Sequence, residues 1–211
     1  MSSSSSALRL NQLLAEVGEP VLDPVTAERF IEYLRLIERW NQRVNLTAIR
    51  AEEEILKRHF VESIACARAL PEGIGTLLDF GSGAGFPGIP IALCCPEISV
   101  TLAESQAKKA AFLREAARRL GIAMTVHADR AETLRTEFGC VAMRAVDQMQ
   151  VAIPAAARLV KLGGWQAVMT TLPELEKVFA AAGPDFRWSQ PKLLPWSIDR
   201  VVVTGEKCPP I

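Results

Sequence analysis

Residues 77–88 read Leu-Leu-Asp-Phe-Gly-Ser-Gly-Ala-Gly-Phe-Pro-Gly, and no other stretch limits the fold as much. An apolar run carries an acid at Asp79, breaks into glycines at 81, 83 and 85, and meets Pro87 where a helix would open. Glycines at alternate positions suit a backbone that turns tightly and approaches a ligand with no side chain between. The unit is a strand, a loop and a helix. Its loop sits at the carboxyl end of the strand, where open α/β sheets bind their ligands.

The sequence on either side agrees. From Thr76 onward, short apolar runs alternate with helical patterns. Strands are predicted at 77–80, 99–103, 124–126, 141–143 and 166–169, and helices at 88–94, 107–120, 131–137, 151–160 and 173–181. Such alternation implies a mostly parallel sheet with helices on both faces. Two late strands, 186–189 and 200–204, have no helix between them, which predicts an antiparallel hairpin closing the sheet edge. Ahead of the glycine loop the chain reads as helix only. After a serine tract read as disordered come 7–17, then 24–44 with Phe30, Tyr33, Leu34, Ile37, Trp40 and Val44 at three- and four-residue spacing, then 52–69. The expected organisation is a helical extension, 1–73, before an α/β domain, 74–211.

Composition excludes several classes. With 24 basic and 24 acidic residues in 211 and a net charge of zero, the whole surface is not a glove for a polyanion, although a local basic patch remains open. Five cysteines without C-x-x-C spacing and two scattered histidines offer neither a disulfide framework nor a metal-ligand set. Cys94 and Cys95 lie in an apolar run and read as reduced core residues, so a cytoplasmic location is expected. The serine tract 2–6 is polar, unlike a signal-peptide core, and nothing approaches 18 consecutive apolar residues, so no membrane partner is expected.

Two ligands compete for the glycine loop. Gly83, Gly85 and Gly88 satisfy G-x-G-x-x-G, which would place a dinucleotide pyrophosphate at a helix N-terminus. The match begins well past the strand end, however, and Asp79 stands where the turn begins. A carboxylate there suits a cation better than a phosphate, and S-adenosylmethionine carries a sulfonium and an ammonium group. A glycine-rich turn with only a structural duty is the third reading. Glu104, about twenty residues on and closing the second strand, suits ribose hydroxyls under either cofactor.

Further passages recur in a fixed order: Arg39-Trp40-Asn41-Gln42-Arg43-Val44-Asn45-Leu46-Thr47, Arg58-His59-Phe60-Val61-Glu62-Ser63, Asp79 to Pro90, Arg130-Ala131-Glu132, Arg144-Ala145 and Arg200-Val201-Val202-Val203. Together they resemble the bacterial 16S rRNA guanine-N7 methyltransferases, also called glucose-inhibited division protein B, along nearly the whole chain. The resemblance implies a class I, Rossmann-like methyltransferase fold with an N-terminal helical extension. It implies S-adenosylmethionine as cofactor and small-subunit ribosomal RNA, or the subunit itself, as partner. By the same likeness Gly81 and Phe86 line the methionine and ribose part of the pocket. Ala131 and Glu132 border the adenine, and Arg144 stands at the mouth where cofactor meets base. The chain departs from the family at Glu62-Ser63, where Asp-Ser is usual, and at Met169-Thr170-Thr171, where a lysine and glycine often stand.

Guanine N7 carries an unprotonated lone pair at neutral pH, so its methylation needs no general base. No Ser-His-Asp or Cys-His pair stands out, and none is required; positioning is the expected source of rate. Arg144 reads as a holder of the cofactor carboxylate or of guanine acceptors. His59 reads as a structural or substrate-edge residue. RNA contacts are expected from Arg43, Arg58, Lys108, Lys109 and Arg200, with Arg39, Arg50 and Lys57 as further candidates, set against the reading of an ordinary solvated helix face. Trp40 and Trp196 are candidates to stack on a base, with Trp40 placed by its spacing in the core. The alternatives are a methyltransferase for a protein or small molecule, and a non-catalytic nucleotide-binding regulatory module.

Overall fold

The structure, a computed structural model, describes residues 3–144 and 149–209. Ala145, part of one motif above, lies outside them. The elements that frame the site are β1 (Thr76–Phe80), β2 (Ser99–Ala103), β3 (Met124–His127), β4 (Phe138–Arg144), β5 (Val160–Thr171), β6 (Phe186–Trp188), β7 (Lys192–Leu193) and β8 (Arg200–Lys207). They form an eight-stranded sheet in the order β3-β2-β1-β4-β5-β8-β6, with β7 paired to β8 off that path. β1 to β5 run parallel, and β8 runs antiparallel to β5 and β6. The predicted late hairpin is present, with its second strand inserted beside β5 and its first at the edge.

Alternation along the strands decides which layer covers which face. Leu77, Val100, Leu102, Cys140, Ala142 and Ala167 point into one core, and Leu78, Phe80, Ala103, Val141, Met143 and Val168 into the other. The first core receives the N-terminal helices α1 (Ser3–Glu16), α2 (Pro24–Asn41) and α4 (Glu62–Ala69), together with α5 (Gly88–Cys94) and α6 (Ala107–Leu120). The second is covered by α7 (Met149–Leu159) and α8 (Leu175–Ala182). Phe30, Tyr33, Phe60 and Phe112 are fully buried in the first core, each contributing on the order of 1.5–3 kcal/mol by leaving water. The N-terminal helices thus share one continuous core with the sheet, and the expected boundary at 73/74 falls in the turn before β1.

Three sequence expectations need correction. The serine tract is not disordered where it is described: α1 begins at Ser3, and Ser6 is buried with its Oγ donating to Glu52 Oε1 at 2.6 Å. The helix expected at 131–137 is a single 3-10 turn, Ala131–Thr133. Thr133 Oγ1 donates to the Arg130 carbonyl and pairs with His127 Nε2, both at 2.8 Å, which gives the backbone a local alternative to a helix. Cys94 and Cys95 are free, as expected, and pack half-buried against the first core, while the fully buried thiols are Cys66 and Cys140. The predicted helix 52–69 exists in three parts: α3 (Glu52–Glu54), a π-helical stretch Ile55–Val61, and α4. π-helical turns often accompany functional sites.

Candidate active site

A cavity of about 470 Å³ opens over the carboxyl ends of β1, β2 and β4. Its floor is the glycine loop. Gly81, Gly83 and Gly85 all have positive φ, of 72°, 57° and 94°, which L side chains rarely adopt. Gly85 and Gly88 are also packed shut: a Cβ at Gly85 would stand 2.5 Å from Ile89 Cδ1, and one at Gly88 2.4 Å from Leu102 Cδ2. Below the loop the fully buried Tyr33 of α2 donates its hydroxyl to the Ala84 carbonyl. A side chain fifty-one positions away thus fixes the bend, a support that no local pattern signals.

The loop amides separate the two candidate ligands. Gly88 N, at the start of α5, donates to Asp79 Oδ2 at 3.1 Å. Gly83 N donates to Glu104 Oε2 at 2.9 Å, and the amides of Ser82, Gly85, Phe86 and Ile89 bond to backbone carbonyls. A pyrophosphate needs such N–H groups free and aimed at it. Here a carboxylate of the protein already occupies the helix start, so the dinucleotide pattern is met in letters and not in geometry.

Asp79 and Gly85 themselves do not line the cavity. Asp79 is fully buried beneath it, with Oδ1 lacking a partner. Burial pushes its carboxyl up to about 7, against the pull of the Gly88 N–H on Oδ2. Gly81, Gly83, Phe86, Glu104, Ala131, Glu132 and Arg144 are all brought to the cavity wall, as is Lys109. Glu104 is held rigid, its second oxygen accepting from Gln106 N at 2.7 Å. Two committed oxygens still leave lone pairs for ribose hydroxyls. Bare loop, apolar Phe80, Ala103 and Ala152, and the carboxylates of Glu104, Asp129 and Glu132 fit an adenosyl group bearing a cationic sulfonium.

The opposite wall comes from distant parts of the chain. Asn41, ending α2, accepts from Leu46 N at 2.9 Å and Thr47 N at 3.2 Å and donates to the Thr47 carbonyl at 2.9 Å. This clasp turns Leu46 and Thr47 into the cavity, a lining that sequence reasoning missed. His59, on the π-helical stretch, bonds Thr47 Oγ1 through Nε2 at 2.8 Å and stacks on Phe86 with ring centroids 4.5 Å apart. Burial, with Arg144 and Arg58 nearby, lowers its pKa to about 3, so the ring is neutral at physiological pH.

Behind His59 stands the other feature the sequence did not reveal. Glu62, 1% exposed, binds three arginines: Arg144 Nη2 at 2.8 Å, Arg200 Nη2 at 2.8 Å and Arg58 Nε at 3.3 Å. Arg144 also donates to Ser63 Oγ at 3.3 Å and to the Arg58 carbonyl. Burial lowers the Arg144 pKa, and the Glu62 charge opposes that fall. Arg43 and Lys108 are exposed and do not line the cavity. Arg39 pairs with Glu115, and Arg50 donates to the Asn41 carbonyl at 3.0 Å. Trp40 is half-buried, with its Nε1 donating to Glu115 Oε2 at 3.0 Å and its ring edge-on to Phe112, so it belongs to the packing. Among the described residues no group of three or more His, Cys, Asp or Glu side chains is placed to hold a metal ion, and no helix is long and apolar enough to cross a membrane.

This sheet order, with an antiparallel β8 and the cavity over the tip of β1, is that of the class I S-adenosylmethionine-dependent methyltransferases. A SAM-dependent O-methyltransferase from Thermotoga maritima shares the fold with a TM-score of 0.58 at 16% identity, over 75% of this chain and 71% of that one. TrmN from Thermus thermophilus does so at 0.55 and 19%, over 72% and 53%. At the level of sequence, the profile of the rRNA small subunit methyltransferase G family matches residues 26–178. Ribosomal RNA small subunit methyltransferase G of Stenotrophomonas maltophilia is 40% identical over 164 residues, covering 76% of this chain and 75% of the relative. That of Clostridium beijerinckii is 41% identical over 169 residues, covering 74% and 70%. The chain belongs to this family.

Proposed function

We propose that this protein transfers the methyl group of S-adenosylmethionine to N7 of a guanine in 16S ribosomal RNA, acting in the cytoplasm on the small subunit or its RNA. The observation that carries the cofactor assignment is Asp79 bonded to the first amide of α5, which closes the phosphate site and leaves a bare, acid-flanked bend. Family membership supports the acceptor. Gly81 and Phe86 are assigned to the methionine and ribose part, Glu104 to the ribose hydroxyls, and Ala131 and Glu132 to the adenine. Arg144 is assigned to the mouth. Residues 1–73 serve as the extension that completes the acceptor side.

When bound, the cofactor supplies a methyl carbon already activated by a sulfonium. What remains for the chain is placement, which in well-aligned intramolecular systems supplies about 7–11 kcal/mol. The neutral His59 removes no proton, because N7 needs none removed. Its ring, clamped between Thr47 and Phe86, is instead a flat wall against which a planar base can rest. Arg144, with both Nη2 protons committed to Glu62 and the Arg58 carbonyl, keeps its guanidinium in one orientation and leaves single N–H donors on Nε and Nη1 for a guanine acceptor or a carboxylate.

The test is incubation with tritiated donor and small subunits from cells lacking this protein, followed by primer extension after alkaline cleavage. One labelled guanine in 16S RNA is the expected result. Label confined to protein, or absent from RNA altogether, overturns the assignment.

A further inference from the structure

Outside the cavity, one segment is built against its own backbone preference. Between β7 and β8 the chain makes a tight turn, Leu194-Pro195-Trp196-Ser197, closed by Ser197 N donating to the Leu194 carbonyl at 3.2 Å. Pro195 occupies the second position and Trp196 the third, with φ +52°. Such a turn favours proline and then glycine, because the third residue is left-handed. Trp196 is the only non-glycine residue with positive φ among the described residues. Both ends of the turn are anchored. Leu194 is buried with Cys66, Met169 and Val202, and Ser197 Oγ accepts from Arg200 N at 2.7 Å.

The fold covers only about half of the side chain in return. Trp196 is 46% exposed, and its neighbour Ile198 93% exposed. Its described ring partner is a cation, Lys57 Nζ, 5.8 Å from the centroid. Lys57 adjoins Arg58, and four residues after Trp196 comes Arg200, both on Glu62. Three guanidiniums around one carboxylate leave a net charge of about +2, bordered by an exposed indole. A basic surface with an aromatic face is what single-stranded nucleic acid binds: the phosphate takes the cation and the base takes the ring.

We propose that Trp196 stacks on an unpaired base next to the target guanine, while Arg58 and Arg200 hold the adjoining phosphate. This rests on the RNA-methylation reading above and extends it to a second nucleotide subsite. A backbone conformation that disfavours tryptophan, kept for a ring left nearly half exposed beside a cationic cluster, is explained by a partner outside the chain.

The experiment measures KM and kcat for unmethylated small subunits, affinity for protein-free 16S RNA and melting temperature, in wild type and in Trp196→Ala, Trp196→Phe and Trp196→Gly. Stacking on one base predicts a KM about ten-fold higher in the alanine and glycine variants, with the change falling on KM and not on kcat. Trp196→Phe should stay within about three-fold of wild type. Trp196→Gly should melt no lower than wild type, since glycine is the residue the turn favours. An unchanged KM in Trp196→Gly overturns the proposal. So does a lowered melting temperature with no rescue by phenylalanine, which would make the indole a structural residue. An effect on subunits with none on protein-free RNA would assign Trp196 to a ribosomal protein and overturn it as well. Absence of RNA methylation by the wild type is a separate result, and it removes the reading beneath.

Discussion

The two walls of the cavity are made in opposite ways. The floor proposed for the cofactor is mostly local: Asp79 to Gly88 is one continuous passage, shaped by glycine placement and by a carboxylate bonded nine residues along the chain, with Tyr33 and Glu104 bracing it from farther away. The wall proposed for the acceptor is Thr47, His59 and Arg144, backed by Glu62 and Arg200; the five lie on four separated stretches and meet only because the loop after α2, the π-helical stretch with α4, β4 and β8 share one end of the sheet. One wall is shaped by backbone and the other by charge. Damage to them should therefore differ in kind.

The largest effect should come from Glu62, the point on which the acceptor wall turns. Glu62→Ala leaves a 13%-exposed guanidinium at Arg144 without its carboxylate. Breaking such a buried pair costs about 3–5 kcal/mol, measurable by urea unfolding. Glu62→Asp, which keeps the carboxylate one methylene shorter, should recover most of the loss. If Glu62→Ala unfolds within about 0.5 kcal/mol of wild type, the wall does not depend on that carboxylate.

A smaller loss is expected on the cofactor wall, and it should be graded by space. Gly85→Ala places a Cβ 2.5 Å from Ile89 Cδ1 and 2.8 Å from Tyr33 Oη, an overpacking that costs on the order of 1–3 kcal/mol and should lower donor affinity by ten-fold or more. Gly83→Ala meets nothing nearer than the Gly81 carbonyl at 3.9 Å and has only its left-handed backbone to resist, about 1 kcal/mol. Equal losses at the two positions would mean that packing beneath the loop is not what holds it.

The smallest net effect is in pH, where the walls oppose each other. Burial holds the Asp79 carboxyl up near 7, above its ordinary 3.8, with Glu104 adding to the rise and Arg144 opposing it. The stability this gives is fully present below about 3.8 and is lost as pH rises toward 7. Burial, with Arg144 and Arg58, holds His59 down near 3, below its ordinary 6.5, so its contribution is present above 6.5 and is lost as pH falls. Between about pH 4.5 and 6.5 the two slopes offset, and the wild-type melting temperature should be nearly level. His59→Gln removes one of them, and its melting temperature should then fall with rising pH across that window. A level profile in the variant would mean that Asp79 does not titrate there.

The same contrast explains what the sequence made legible. Strand alternation at Leu77/Leu78 and Val141/Ala142 and the loop glycines are short-range signals, so the sheet, its parallel strands and the late hairpin were readable. So were the cavity positions of Gly81, Phe86, Glu104, Ala131 and Arg144. Local patterns do not report a hydroxyl reaching from Tyr33 to Ala84, or one carboxylate gathering arginines 4, 82 and 138 positions away. The pattern G-x-G-x-x-G was present, yet its letters alone do not choose between the two ligands. What decides the matter is whether the loop amides are free, a property of the bonds and not of the letters. Trp196 shows the complementary lesson: the sequence already offers it as a stacking candidate, and the left-handed φ that sets it apart from Trp40 is visible only in the structure.

The central claim is that the bend above Asp79 receives a cationic methyl donor and no phosphate. Titration calorimetry on the wild-type chain, with S-adenosylmethionine in one cell and NADH in another, tests it directly. One saturable site for the donor and no heat of binding for NADH is the expected result; tighter binding of NADH than of the donor would overturn the cofactor assignment.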